Sequence, residues 1–121
     1  MFTNFLKAKL DTTLLEAIEI LNQPNASFLV VLDKEGRLSG TLNLHELRKA
    51  LMDDCDLQTP VAEVMNKKPI FAREDSDIES LSDRAGGYLP IVDVEGRVIN
   101  LFVSQKESLV EKTEQNSKIK N

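Results

Sequence analysis

The feature that most constrains the fold of this chain is an internal repeat. The stretch Phe28–Leu42 returns in similar form at Tyr88–Phe102, an offset of 60 residues. Each copy is an apolar run, a turn of the form D-x-E-G and a second apolar run. This pattern predicts a β-hairpin, because glycine supplies the positive φ of the turn and β-branched residues suit buried strands. The chain is therefore predicted to contain two units that fold alike.

Composition and charge restrict the classes of function. The 121 residues include 41% hydrophobic and 29% charged residues, as in ordinary globular proteins. The net charge of −5, without a long run of Lys and Arg, argues against nucleic acid as a partner. Cys55 is the single cysteine, so no intrachain disulfide can form. No apolar run approaches the roughly 20 residues of a membrane-spanning helix, so we expect a cytoplasmic protein without membrane insertion.

Helix signals flank the first hairpin. Residues 1–10 suit either a short amphipathic helix or an extended lead-in. Thr13 and Glu16 have the spacing of a capping box, in which each side chain binds a free backbone N–H at the helix start. Asn43 and Glu46 have the same spacing after the hairpin. The first unit is therefore predicted to run helix, strand, strand, helix.

The second unit repeats this order after a polar connection at residues 53–60. Residues 61–65 predict one or two helical turns, and residues 69–72 predict a short strand. Ser76 and Glu79 again have capping-box spacing before a helix. We expect a lead-in and first repeat at residues 1–60, a second repeat at 61–112 and a polar tail at 113–121.

Three segments carry a family resemblance. Residues 61–70, VAEVMNKKPI, resemble a V-x-E-[IV]-M-x-x-x-P-[IV] connector, and residues 88–93, YLPIVD, resemble an h-L-P-V-V-D strand. Residues 40–48, GTLNLHELR, resemble the motif G-x-[VI]-[ST]-x-x-D-[IL]-R. These are motifs of tandem cystathionine β-synthase (CBS) domains, and the resemblance covers approximately residues 8–112. Among such pairs, the chain is most similar to those associated with sugar nucleotidyltransferases.

The resemblance implies an α+β fold of two β-α-β-β-α repeats, packed sheet against sheet about a pseudo-two-fold axis. It implies a cleft between the repeats for an adenine nucleotide (AMP, ADP or ATP) or S-adenosylmethionine as a regulatory ligand, with no required cofactor. It also implies a homodimer and regulation of an attached or partner enzyme or transporter.

The first repeat departs from the family motif at the residues expected to contact ribose. In the family, a hydroxyl and an Asp carboxylate project from a helix start, where backbone amides also favour phosphate. Here these positions hold Asn43 and Glu46, so the carboxylate is kept on a side chain one methylene longer. Capping alone explains both residues equally well.

The second repeat leaves two registers open. Counting from the turn glycine as in the first repeat places Val103 and Lys106 at the motif positions. A slip of one residue, through a bulge at Asn100, would instead place Ser104 and Glu107 there.

The predicted ligand-binding residues come from both repeats. Arg48 and Arg84 each suit either phosphate binding or an exposed helix face. His45 has no second His or Cys at ligand spacing, so neither a metal site nor a catalytic residue is predicted. The ligand-binding set is Ala26, Phe28, Asn43, Glu46, Arg48, Pro69, Ile70, Tyr88, Pro90, Ser104 and Glu107.

Three functions compete at this stage. The first is a regulatory module that senses an adenine nucleotide, and the second is a ligand-free pair that acts in dimerisation or docking. An enzyme has the least support, because the chain shows no P-loop, no Rossmann glycine pattern and no nucleophile–base arrangement.

Two structural expectations accompany these functions. The apolar hairpin residues are predicted to share one core: Val30, Val31, Leu42, Ile91, Val92 and Leu101. Apolar residues of the helices after the hairpins are predicted to form a dimer contact: Leu47, Leu51, Leu109 and Val110.

Overall fold

The repeat forms two similar β-α-β-β units. A computed structural model describes residues 1–104. The first unit contains β1 (Phe2–Thr3), β2 (Leu6–Lys9), α1 (Leu14–Leu21), β3 (Phe28–Leu32), β4 (Leu38–Asn43) and α2 (Leu44–Met52). A 3-10 helix at Val61–Glu63 leads into β5 (Ala72–Arg73), α3 (Ile78–Arg84), β6 (Tyr88–Val92) and β7 (Val98–Val103). The predicted last helix, with Glu107, Leu109 and Val110, and the predicted tail lie outside the described residues.

Helix ends follow local sequence signals in the first unit. The Thr13 hydroxyl accepts a hydrogen bond from the backbone N–H of Glu16 at 3.1 Å, and the Glu16 carboxylate accepts one from Thr13 N–H at 3.0 Å. The predicted capping box is thus confirmed. No helix within residues 1–104 combines the length and apolar character needed to cross a bilayer.

The predicted capping box of the second unit is wrong. Asp77, not Ser76, is the N-cap of α3, and its carboxylate accepts from Ser80 N–H at 3.3 Å. The Ser76 hydroxyl instead accepts from Arg73 N–H at 3.0 Å, which closes the turn after β5. The neighbouring carboxylate, equally able to cap, therefore begins the helix one residue later than predicted.

Both D-x-E-G segments form the predicted turns. Gly36 and Gly96 have φ values of 82° and 86°, which residues with a Cβ rarely adopt. In each turn the first aspartate, Asp33 or Asp93, accepts hydrogen bonds from two backbone N–H groups at 2.8–3.0 Å. The aspartate and glycine therefore fix the conformation that joins the two strands.

Each unit sends its leading segment to the sheet of the other. The strand order is β2-β3-β4 in one sheet and β1-β7-β6-β5 in the other. Residues 1–10 are extended, and their first strand pairs with β7, with Phe2 opposite Phe102. Conversely, Asn66 of the connector exchanges backbone hydrogen bonds with Thr41 of β4, at 2.8 and 3.1 Å. The two units are therefore joined by backbone pairing in both directions.

The hairpin tips meet about a pseudo-two-fold axis. Each tip donates to the other through the same groups, and this reciprocity is what a two-fold relation produces. The bonds are Leu38 N to Gly96 O (3.0 Å), Val98 N to Gly36 O (3.1 Å), Arg37 Nε to Glu95 O (3.1 Å) and Arg97 Nε to Glu35 O (3.2 Å).

The predicted core residues are all buried, but they do not form one core. Val31 and Leu42 belong to a cluster under α1 and α2, whereas Ile91 belongs to a separate cluster under α3. Side chains alternate along a strand, so Val30 and Leu101 point away from these clusters. Both are nonetheless buried, which places them between the two sheets. Helices cover the outer faces, and the prediction of a single core missed this division.

Candidate functional site

A cleft of about 150 Å³ lies where the two units meet, and we call it the inter-repeat cleft. Six of the predicted ligand-binding residues line it: Phe28, Asn43, Glu46, Pro69, Ile70 and Tyr88. The N-terminus of α2, the connector before β5 and the starts of β3 and β6 bring these residues together. Residues far apart in the sequence therefore converge as the resemblance implied.

Two aromatic rings form an apolar wall of the cleft. Phe28 and Tyr88 begin equivalent strands, and their rings stack at a centroid distance of 5.0 Å with an interplanar angle of 7°. The Tyr88 hydroxyl is bonded to the Ser27 hydroxyl at 2.7 Å, which fixes the ring position. Flat apolar surfaces of this kind suit a planar heterocycle.

Asn43 and Glu46 form a polar wall of the cleft. The Asn43 side-chain oxygen accepts from Glu46 N–H at 2.7 Å, and Glu46 Oε1 accepts from Asn43 N–H at 3.0 Å. The capping interpretation is therefore confirmed. Only one carboxylate oxygen is used in the cap, and Glu46 Oε2 bonds to no other residue among residues 1–104. Capping and ligand contact are compatible for this side chain.

Four further residues line the cleft that were not in the predicted set: Thr41, Asn66, Arg84 and Ala85. Arg84, from the last turn of α3, is exposed and brings a positive charge to the edge of the cleft. Asn66 lies within the connector motif beside Pro69, a signal that could have identified it. Strand pairing and helix packing bring Thr41 and Ala85 to the cleft, and no short sequence motif indicates those contacts.

The other predicted residues do not line this cleft. Ala26 packs against the first core cluster, and Pro90 is fully buried in the second sheet. Arg48 is exposed on α2, away from the cleft lining. Ser104 is buried, and its N–H donates to the Gly87 carbonyl at 2.8 Å.

The register of the second repeat follows the direct count. Tyr88 pairs with Val103 as Phe28 pairs with Asn43. A valine therefore occupies the second-repeat position that corresponds to the asparagine of the polar wall.

The slip at Asn100 does not occur, and this alternative is wrong. Asn100 pairs with Ile91 as Gly40 pairs with Val31, and both hairpins carry their irregularity at the same place, one step further along. The second repeat therefore copies the bulge of the first instead of adding one.

Fold and cleft together define a pseudo-symmetric tandem repeat of two β-α-β-β units with a cleft between them. A family model for the CBS domain matches residues 1–53 and again residues 61–106. The chain therefore belongs to the CBS domain family and contains two such domains in tandem.

Individual relatives agree with this family. The magnesium transporter MgtE of Thermus thermophilus is 38% identical over 78 residues, which are 61% of this chain and 16% of the transporter. A solved structure, the cytosolic domain of the Mg²⁺ channel MgtE in complex with ATP, is 29% identical with a TM-score of 0.67, over 82% of this chain and 42% of that one. This chain spans 16% to 21% of the length of the curated relatives it matches.

A second solved structure shows the fold. The CBS domain pair of protein MJ0100, in complex with 5′-methylthioadenosine and S-adenosyl-L-methionine, has a TM-score of 0.73 at 24% identity. The match covers 88% of this chain and 90% of that one, so the two-domain arrangement extends over nearly the whole of both.

Proposed function

We propose that this chain is a regulatory module that binds an adenine nucleotide, of the AMP, ADP or ATP kind, in the inter-repeat cleft. The module is non-catalytic and modulates an attached or partner protein, such as an enzyme or transporter. S-adenosylmethionine is the alternative ligand of the same chemical class, since it also carries adenosine.

The observation that carries this proposal is the pairing of a stacked aromatic wall with a carboxylate that has one oxygen uncommitted. The apolar wall of Phe28 and Tyr88 suits the base, and Glu46 Oε2 can accept from ribose hydroxyls. Arg84 offers a cation to phosphate from the α3 side. Each part of a nucleotide thus has a complementary group in one cleft. The complex of the related MgtE domain with ATP supports the same ligand class.

The alternative is a ligand-free pair that acts in dimerisation or docking, and two observations favour it. The cleft volume of about 150 Å³ is below the range of roughly 300–1,000 Å³ found for small-molecule pockets. Val103 also replaces the polar residue in the second repeat, so the described part of that repeat does not supply the counterpart of Asn43. Nucleotide binding therefore requires the walls of the inter-repeat cleft to separate. A function in dimerisation or docking requires no such opening.

A thermal-shift screen separates these two functions. The chain is heated with AMP, ADP, ATP or S-adenosylmethionine, and GTP serves as the matched control for charge and phosphate. A ligand at 100 times its Kd stabilises the folded state by about 2.7 kcal/mol, which moves Tm by several degrees. A shift with an adenine compound and none with GTP supports the sensing module. No shift with any adenine compound at millimolar concentration supports the docking module.

The remaining assignments are proposals of the same kind. We place the protein in the cytoplasm, keep the domain bounds at 1–60 and 61–112, and retain the predicted likeness to pairs associated with sugar nucleotidyltransferases.

The proposed homodimer uses a smaller surface than predicted. Leu47 is 4% exposed and packs in the first core, so its predicted place in the contact is wrong. Leu51 and Met52, at the end of α2, are 38% and 82% exposed and remain available. Sedimentation velocity at tens of micromolar should show a dimer that Met52→Glu weakens, and a wild-type monomer would contradict the proposal.

A further inference from the structure

A second cavity, of about 230 Å³, shares only Pro69 with the lining of the inter-repeat cleft. Three cationic side chains line it, those of Lys67, Lys68 and Arg73, and we call it the basic cleft. The exposed ring of Phe71 and the hydroxyl-bearing Ser39 also face it. The connector therefore contributes residues to both cavities.

The positive charge of the basic cleft is not balanced locally. No carboxylate is among its lining residues, and its three cations form no ion pair within residues 1–104. This concentration of charge occurs in a chain whose net charge is −5. Like charges that converge on one cavity without counter-charges repel one another, and a bound anion would relieve that repulsion.

A cavity elsewhere in the molecule provides the contrast. It has a volume of about 610 Å³ and also contains three cationic side chains, here all lysines, but three carboxylates lie among the same lining residues. The set is Lys7, Lys9 and Lys34 with Asp11, Glu16 and Asp33. Three cationic side chains thus share their cavity with carboxylates in one place and with none in the other.

Hydrogen bonds fix the backbone that carries the cations of the basic cleft. Lys68 N–H donates to the Asn66 side chain at 3.0 Å, and Arg73 N–H donates to Ser76 at 3.0 Å. Asn66 is also paired with β4 by two backbone hydrogen bonds. The backbone is therefore anchored at both ends of the cationic segment, so binding an anion has to order the exposed side chains but not the chain that carries them.

We propose that the basic cleft binds a polyphosphate group, through charge-assisted hydrogen bonds from Lys67, Lys68 and Arg73. The site is distinct from the inter-repeat cleft, and its binding of a free polyphosphate does not depend on a nucleotide there. The anion is either a free polyphosphate or the phosphate tail of a nucleotide, since the recognised chemistry is the same.

The test measures binding of sodium tripolyphosphate by calorimetry at low ionic strength. We compare the wild type with Lys67→Gln/Lys68→Gln/Arg73→Gln and with the control Lys7→Gln/Lys9→Gln/Lys34→Gln, which removes the same charge from the balanced cavity. The first variant should lose affinity about ten-fold or more, and the control should bind nearly as the wild type does. No binding by the wild type, or an equal loss in both variants, overturns the proposal.

Amide NMR shifts on the wild type locate the anion without any substitution. Tripolyphosphate should move the amide resonances of residues 67, 68 and 70–73 and of Ser39, whereas adenosine should not. Shifts confined to other parts of the chain overturn the proposal. If ATP shifts the amide resonances around both cavities at one molecule per chain, the phosphate tail of the bound nucleotide is the anion. If two molecules of ATP bind per chain, the anion in the basic cleft belongs to a separate molecule.

Discussion

Gly40 shows how one residue controls the shape of the inter-repeat cleft. A Cβ added there would lie 2.8 Å from the backbone oxygen of Asn66 and closer still to the Met65 sulfur. The connector can therefore approach β4 only because this position has no side chain. The same close approach allows Asn66 to pair with Thr41 and places Pro69 and Ile70 in the cleft.

Replacing Gly40 by alanine should therefore lower the free energy of unfolding by about 1–3 kcal/mol, because the connector backbone must shift. Urea denaturation measures the change. Ser39→Ala is the control, because Ser39 is adjacent to Gly40 in the sequence but its half-buried side chain faces a cavity. An unchanged free energy of unfolding in Gly40→Ala would show that the connector is not held against β4.

The lowered pKa values of two carboxylates predict that the free energy of unfolding changes with pH in the acidic range. Hydrogen bonds from Thr13 lower the pKa of Glu16 below its ordinary value of 4.5. For Asp93, burial raises the pKa, but hydrogen bonds from Arg97, Glu95 and Gly96 outweigh it and leave the pKa below 3.8. A lowered folded-state pKa means that the stabilisation is present above the unfolded-state pKa and disappears as pH falls through the folded-state value.

The free energy of unfolding should accordingly fall as pH drops below about 4.5, and Glu16→Gln should reduce that fall. Urea denaturation of both proteins at pH 7 and pH 3 provides the comparison. An identical pH dependence in the two proteins would contradict the role given to the Glu16 cap.

At the scale of the element, two acidic residues at the start of helix α3 have different roles. Asp77 caps the helix, while Glu79 is exposed and takes no part in a capping box. Asp77→Ala should therefore cost about 1 kcal/mol of stability, and Glu79→Ala less than about 0.5 kcal/mol. Thermal unfolding of both variants tests this, and the reverse order would restore the capping box at Ser76.

The sequence predicted most elements whose signal is local, although it assigned the cap of α3 to Ser76 instead of Asp77. The hairpins, the caps of α1 and α2 and the D-x-E-G turns follow from side chains within four residues of one another. The Asn100 alternative was wrong because a strand register is fixed by its partner strand, which no short motif encodes. Thr41 and Ala85 escaped prediction for the same reason, since distant segments bring them to the cleft.

At the scale of the whole molecule, backbone pairing joins two similar halves within residues 1–104. Strand β1 completes the second sheet, Asn66 pairs with the first, and the hairpin tips exchange hydrogen bonds in both directions. Cutting the chain at Asp54 would therefore leave each half with an unpaired sheet edge and an exposed inner face.

We expect neither half to fold alone and the mixed halves to regain structure. Circular dichroism of residues 1–54 and 55–121, separately and mixed, measures this. Cooperative unfolding of either isolated half would contradict the account of a shared inner surface.

Calorimetric titration with AMP, ADP and ATP of the wild type, Glu46→Gln and Glu16→Gln tests the central claim. Both glutamates occupy equivalent capping positions, and glutamine keeps the capping oxygen while removing the charge, but only Glu46 lines the inter-repeat cleft. Glu46→Gln should weaken nucleotide binding about ten- to hundred-fold through loss of a charge-assisted hydrogen bond to ribose, and Glu16→Gln should bind like the wild type. Equal affinities in all three proteins, or no binding by the wild type, would contradict nucleotide binding at this cleft.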